Sequence, residues 1–170
     1  MGHKTRPAAT DTQDLLRLDR QLCFPLYATS RLVTRLYQPV LEPFGLTYPQ
    51  YIVLMILWED APCPVSHIGD RALLNTNTLT PLLKRLEQLG YVRRQRRASD
   101  ERIVEISLSE AGLALKSRCA CIPTELSKTT TFPADKMRAL KQLLDEFLAD
   151  LRQLPLEDRL PPATEQTEPH

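Results

Sequence analysis

The chain has 170 residues, 42% of them hydrophobic and 25% charged, the size and balance of one domain able to bury a sizeable core. Its net charge of +1 excludes a polycation as a whole. Charge is unevenly placed, however: residues 84–102 hold seven Lys/Arg against three Asp/Glu, and residues 142–170 hold two Arg against seven Asp/Glu, so a near-neutral chain still presents a basic surface.

No run of eighteen apolar residues occurs, so no transmembrane helix is expected. The polar start MGHKTRPAATDTQD has no apolar core of a signal peptide, and Arg6 breaks the myristoylation pattern. The expected location is the cytoplasm, without a membrane partner. There the four cysteines stay reduced, which disfavours a disulfide framework.

Residues 1–12 are expected to be disordered. Leu22, Leu26, Val33, Tyr37, Val40 and Leu41 then recur at helical spacing, and EPFGLTYP (42–49) ends that helix. PQYIVLMILWED (49–60) opens with Pro at a first helical position and is apolar nearly all round, which predicts a buried helix. APCPVS reads as a turn, and VSHIGDRALL as a short helix capped by Ser66. In NTNTLTPLLKRLEQLGY, Asn75 or Thr76 caps a helix whose apolar face is Leu79, Leu82, Leu83, Leu86 and Leu89, and Gly90 stops it.

YVRRQRR and RIVEISLS alternate in polarity and read as two strands, with ASDE as the hairpin tip. SEAGLALKSRCACI is a further helix capped by Ser109, and ADKMRALKQLLDEFLADLRQL a long amphipathic one. The tail from Pro155 is Pro- and Glu-rich and expected to be loose.

Helix, short helix, helix and two-stranded hairpin in that order make a winged helix-turn-helix, mainly α with a small β-hairpin wing. In that frame the leucine face is buried, and Thr76, Asn77, Thr78, Thr80, Lys84 and Arg85 are left to contact phosphates and base edges of double-stranded DNA. Arg93, Arg94, Arg96, Arg97 and Arg102 fall on the hairpin, placed to grip the backbone or enter a minor groove.

These segments resemble a known family. LDRQLCFPLYATSRLVTRLYQPVLEPFGLTYPQY, LWED and NTNTLTPLLKRLEQLGYVRRQRRASDERIVEISLSEAGLAL are similar to the organic hydroperoxide resistance regulators, a thiol-sensing branch of the MarR repressors. The resemblance covers about residues 18–115. It implies an intertwined homodimer built from the first and last helices, within a domain of residues 13–154 whose DNA-binding lobe is about 49–109. It implies a pseudo-palindromic operator and an organic hydroperoxide as inducer.

It implies Cys23 as the redox-sensing thiol. Tyr27, Tyr37 and Tyr48 would hydrogen-bond its sulfur, the last two from the other subunit. Asp100 and Arg102 match the wing pair, and Thr76, Thr78 and Arg85 the recognition-helix contacts. Pro25 departs from the family's small helix former, and Asn75-Thr76-Asn77 replaces Asp-Ser-Gly, which bears on the operator half-site. Where some members carry a second cysteine, this chain has Glu125, with Cys119 and Cys121 just before Pro123.

The chemistry of such a sensor is demanding. The thiolate, not the thiol, attacks peroxide. An ordinary cysteine is only about 3% ionised at pH 7, and lowering a thiol pKa by about three units takes roughly 4 kcal/mol. Tyr27 lies one helical turn from Cys23. Tyr37, fourteen residues on, returns near the same face but too far along for contact within one chain; a dimer partner solves the distance. Pro25 is tolerated mainly in a first helical turn, so it either starts the helix at Cys23, where the positive terminus favours thiolate, or kinks a longer one.

Cys119 and Cys121 remain open between a resolving thiol, helix packing and a metal ligand. No histidine or third thiol completes a zinc site there, so neither metal nor cofactor is expected. Cys63 reads as incidental, and His67 as a surface or capping residue rather than a ligand. Two other functions stay in play: a thiol peroxidase using Cys23, although an enzyme has no need of the basic wing, and a MarR-type repressor released by a phenolic or drug-like ligand lined by the three tyrosines.

Overall fold

A computed structural model describes residues 16–154, the side chain of Ser127 excepted. The ends expected to be disordered, 1–12 and 155–170, lie outside the described residues. The chain forms two compact units, Met1–Ser127 and Lys128–His170.

In the first unit a short 3₁₀ turn, Leu18–Arg20, precedes helix α1, Cys23–Leu41. The helix begins at Cys23, and Pro25 sits in its first turn, where its missing N–H has no intrahelical acceptor to lose. The alternative of a kink is thereby settled in favour of a start. A second 3₁₀ turn, Glu42–Phe44, closes on Gly45 in the left-handed region, φ 67°.

Helix α2, Tyr48–Asp60, starts one residue earlier than expected. The Gln50 side chain accepts from the Thr47 N–H at 2.8 Å, the return arm of a capping box. Tyr51, Val53, Leu54, Ile56 and Leu57 on α2 are buried, as its all-round apolarity predicts.

APCPVS is not simply a turn. Cys63–Pro64 form strand β1, two residues long and held by β3 of the hairpin, with Cys63 opposite Ile106. Helix α3, Val65–Ala72, follows at once, so its cap position is Pro64 and not Ser66. Its C-cap, Leu73, holds φ 56° without being glycine. Helix α4, Thr76–Gln88, is capped by Asn75, whose Oδ1 accepts from the Thr78 N–H at 2.9 Å. Leu79, Leu83 and Leu86 are fully buried, each stabilising by roughly 1.5–3 kcal/mol through area removed from water. Gly90, φ 78°, lets Tyr91 N–H reach back to the Leu86 carbonyl at 3.0 Å and ends the helix.

Strands β2, Val92–Arg97, and β3, Asp100–Leu108, pair antiparallel, giving the sheet order β1-β3-β2. Arg97 faces Asp100, so the tip is Ala98-Ser99 and Asp100 and Glu101 belong to the strand, a tighter turn than ASDE.

Helix α5, Glu110–Cys119, is capped by Ser109 as expected, but it does not run on to Ile122. It breaks at Ala120-Cys121, and α6, Ile122–Ser127, begins anew. The reason is Pro123: it has no N–H to continue the ladder, and its ring clashes with the carbonyl four residues back, that of Cys119.

In the second unit, helix α7, Ala134–Gln153, exposes Met137, Leu140, Leu144, Phe147 and Leu151. Their alternating three- and four-residue spacing is that of a helix–helix seam. No single helix among the described residues is long and apolar enough to cross a membrane.

Candidate functional site

Two regions carry the chemistry. The first is the exposed side of α4 with the hairpin. Thr76, Asn77 and Thr78 occupy the first turn of α4 and are exposed, as are Lys84 and Arg85 further along. The Thr80 hydroxyl donates to the Thr76 carbonyl at 2.8 Å, which fixes its rotamer and leaves its lone pairs outward. The leucine face explains this presentation: burying Leu79, Leu83 and Leu86 turns the opposite side to solvent.

On the hairpin, Arg102 is 91% exposed. Its Nε and its backbone N–H both donate to Asp100 Oδ1, each at 3.1 Å. Arg102 also holds the Asp100 carboxyl below its ordinary range. The pair aims one guanidinium outward from the tip.

The other arginines differ. Arg97 donates to Glu105 at 2.8 Å. Arg94 faces Glu87, with its N–H 3.3 Å and its guanidinium 3.9 Å from the carboxylate, and its buried Nε has no protein partner. Arg93 and Arg96 are exposed. A cleft of about 360 Å³ between α3, α4 and the hairpin is lined by Ser66, Thr76, Thr80, Arg94 and Arg102. A row of hydroxyls and guanidinium groups beside a helix N-terminus suits phosphate oxygens.

The second region is divided along α1. Cys23 is the first residue of the helix and is exposed, and so is Tyr27 one turn on. The Arg31 guanidinium lies 5.6 Å from the Tyr27 ring centroid. Tyr37, by contrast, is about 21 Å away along the axis. It packs on Tyr48 with centroids 4.6 Å apart, and on Tyr51 at 5.8 Å; Tyr51 in turn meets Trp58 edge-on at 5.9 Å. Burial, then Tyr48, pushes the Tyr37 hydroxyl up.

The Tyr51 hydroxyl is pushed up to about 12, first by burial and then by the Cys119 thiol, Tyr37, Tyr48 and Cys121. The structure therefore gathers Tyr37, Tyr48 and the Cys119–Cys121 segment around Tyr51, and leaves Cys23 and Tyr27 at the far end of α1. Tyr51 was missed in the sequence reading; its signal was its place three residues after Tyr48, on the same helix face.

The two late cysteines part company here. Cys119 is 2% exposed, and burial pushes its thiol up. Cys121 is exposed in the break between α5 and α6, its Sγ 3.7 Å from the Arg118 carbonyl. Cys63 is buried, and burial, followed by Asp60 and Glu105, raises its thiol. His67 Nε2 meets Asp60 at 2.7 Å and so ties α3 to the end of α2. No group of three or more His, Cys, Asp and Glu among the described residues converges to hold a metal ion.

Known proteins resemble this arrangement. A family profile described as Transcriptional regulator SarA/Rot matches residues 35–119. The organic hydroperoxide resistance transcriptional regulator of Bacillus subtilis is 41% identical over 140 residues, 82% of this chain and 95% of the relative. The HTH-type transcriptional regulator TtmR of Methylorubrum extorquens is 44% identical over 137 residues, 81% of this chain and 70% of that one. Among solved structures, reduced AbfR bound to DNA matches with TM-score 0.68 at 39% identity, covering 83% of this chain and 99% of that one. AbfR in a disulfide form matches with TM-score 0.56 at 38% identity, covering 82% and 93%.

Proposed function

We propose, from the premise that this chain belongs to the organic hydroperoxide resistance regulators of the MarR type, that it is a redox-sensing repressor which releases its operator when Cys23 is oxidised. The carrying observation is the split site. Cys23 and Tyr27 stand exposed at one end of α1, while Tyr37 and Tyr48 form a half-buried pair about 21 Å along it. Two copies joined as an intertwined homodimer bring the thiol of one to the tyrosines of the other. The exposed seam of α7 and the exposed Leu18, Leu22, Leu32 and Leu36 supply apolar surface for that association.

The reduced dimer sets two copies of α4 in successive major grooves of a pseudo-palindromic site, with Arg102 at each wing tip. The domain is read as 13–154, with its DNA-binding lobe at about 49–109. Such a regulator acts in the cytoplasm. In the sensing step, the Cys23 thiolate attacks the distal peroxide oxygen, the O–O bond breaks, and the alkoxide leaves and takes a proton. Sulfur loses two electrons and becomes sulfenic acid, while the peroxide is reduced to an alcohol.

The sulfenic acid is then resolved by Cys121 of the other copy, forming a disulfide with loss of water. Cys121 is favoured over Cys119 by exposure, and the disulfide form of a relative supports such an end point. Bridging needs Cα atoms within about 7 Å, so it drags the α5–α6 break. Coupling of about 1–3 kcal/mol through α5 suffices to weaken operator binding.

A gel shift with and without cumene hydroperoxide tests the reading. Loss of the wild-type complex on oxidation, with the complex of a Cys23→Ser variant left intact by the same peroxide, supports it. Release of Cys23→Ser by the peroxide removes the thiol from the mechanism, release by a phenolic ligand alone supports the ligand-responsive alternative, and steady turnover of peroxide supports the peroxidase.

A further inference from the structure

We infer that Asn77 is a base-reading residue of α4, and that it requires an adenine at one fixed position of each operator half-site. The inference rests on the DNA-binding reading of α4 and names the base that this helix selects.

Helix geometry decides which side chain leads. Successive residues turn by about 100°. Leu79, Leu83 and Leu86 are buried and define the core-facing pole of α4. Asn77 lies about 150° round from that pole, whereas Thr76, Thr80 and Thr78 lie only about 50°, 90° and 110° from it. Thr76 and Thr80 accordingly line the cleft against the hairpin. Two other residues fall near the far pole. Pro81 is exposed but has no polar side chain, and Gln88 ends the helix about 16 Å further along the axis. A recognition helix meets base edges with its N-terminal residues, so the Asn77 carboxamide enters the groove first.

Its hydrogen-bonding groups are also the ones left over. The Asn75 side chain is spent on the cap, accepting from the Thr78 N–H at 2.9 Å. The Thr80 hydroxyl donates to the Thr76 carbonyl at 2.8 Å. Asn77 is exposed, and its carboxamide has no hydrogen-bond partner among the described residues. The cap holds the first turn in place, so binding has only the Asn77 side chain itself to order there.

A carboxamide carries one acceptor and one donor side by side. In the major groove adenine offers the complementary pair, the N6 amino group and N7. Guanine offers two acceptors, so Oδ1 would face O6 unpaired. Cytosine and thymine each present a single polar group. The threonine hydroxyls do not discriminate, and Lys84 and Arg85 suit guanine or phosphate. The glycine that Asn77 replaces in the Asp-Ser-Gly pattern has no side chain to read with, so the preference belongs to this sequence.

The test uses the full-length, reduced protein. A randomised duplex library is selected in parallel with the wild type and with Asn77→Ala. The wild-type consensus should hold an adenine, repeated by the symmetry of the half-sites, that becomes any base with Asn77→Ala while the rest of the consensus stays. On the selected duplex, changing that base pair in one half-site should weaken wild-type binding about tenfold and Asn77→Ala binding hardly at all, as read by fluorescence anisotropy. 7-Deazaadenine at the same place removes N7 and keeps the base pair. It should weaken the wild type several-fold, and that measurement requires no variant to fold. Identical consensus sequences from the two proteins overturn the inference. So does a lost preference for a base other than adenine, a wild type indifferent to 7-deazaadenine, or an Asn77→Ala variant equally weaker on every sequence. A wild type that selects no sequence overturns the DNA-binding reading itself, and the inference with it, whereas absence of the adenine preference alone leaves the repressor standing.

Discussion

The indole N–H of Trp58 donates to the carbonyl of Gly112 at 2.9 Å, binding the end of α2 to the first turn of α5. Lys116 returns the contact through the Trp58 carbonyl at 3.2 Å. The junction is tight: a Cβ on Gly112 would stand 2.0 Å from the Tyr91 carbonyl oxygen. Because that atom is backbone, a Gly112→Ala variant must move β2 or α5. It is expected to lose about 3 kcal/mol of stability, at the upper end for overpacking. Thermal unfolding at a fixed protein concentration checks this, since the midpoint of a dimer depends on concentration.

Arg102→Ala should weaken operator binding without altering thermal stability. The Asp100–Arg102 pair is exposed, so it contributes little to folding. Losing one phosphate or groove contact should reduce the slope of log affinity against log salt by about one, which fluorescence anisotropy at several salt concentrations reads directly. An unchanged affinity would move the wing away from DNA.

The double variant Tyr37→Phe, Tyr48→Phe keeps the ring packing at 4.6 Å and removes two hydroxyl donors. Cys23 alkylation and peroxide oxidation at pH 7 should both slow, by about tenfold if the pair supplies one charge-assisted hydrogen bond to the sulfur. Iodoacetamide kinetics measure it; rates equal to the wild type would separate the tyrosines from the thiol.

Non-reducing electrophoresis after peroxide treatment should show a cross-linked dimer that disappears in Cys121→Ser and persists in Cys119→Ser. The burial of Cys119 motivates the asymmetry. The opposite pattern would assign the bridge to Cys119 and require α5 to unwind. A monomer carrying the mass of a small thiol in every variant would replace the bridge by a mixed disulfide.

Asp60 gives the fold an acid edge. His67, then Arg71, hold its carboxyl below the ordinary value of 3.8. Around that value the unfolded chain therefore binds more protons than the native one, and stability rises with pH. The contribution is fully present above the ordinary value and is lost as pH falls through the depressed native one. Asp60→Asn should flatten this part of the stability–pH curve, as measured by urea unfolding between mildly acidic and strongly acidic pH.

What could be read without coordinates was whatever neighbouring residues decide among themselves. The Asn75 and Ser109 caps, the Gly90 stop, the leucine face of α4 and the alternation of β2 and β3 are local, because a helix or hairpin is written in spacings of two to four residues. The Cys23–Tyr27 turn was legible for the same reason. Strand β1 was not, since Cys63 and Pro64, directly after Pro62, become a strand only when β3 lies opposite. The break before Pro123 was available locally and was overlooked.

The difference between Cys119 and Cys121, two residues apart and chemically alike, had no local signal. Access to a thiol is set by what packs over it, and the buried core takes in Cys119 and leaves Cys121 exposed. Tyr51 belongs to the same class: its gathering of Tyr37, Tyr48 and the late cysteines depends on three segments far apart in the chain. Local spacing determined what the elements are, which side chains each presents and that Tyr37 lies beyond the reach of Cys23 within one chain; tertiary packing decided which thiol is sheltered, which arginines are neutralised, and that Tyr48 and Tyr51 gather on Tyr37, because burial and contact between elements are properties of the assembled chain and not of any stretch of it.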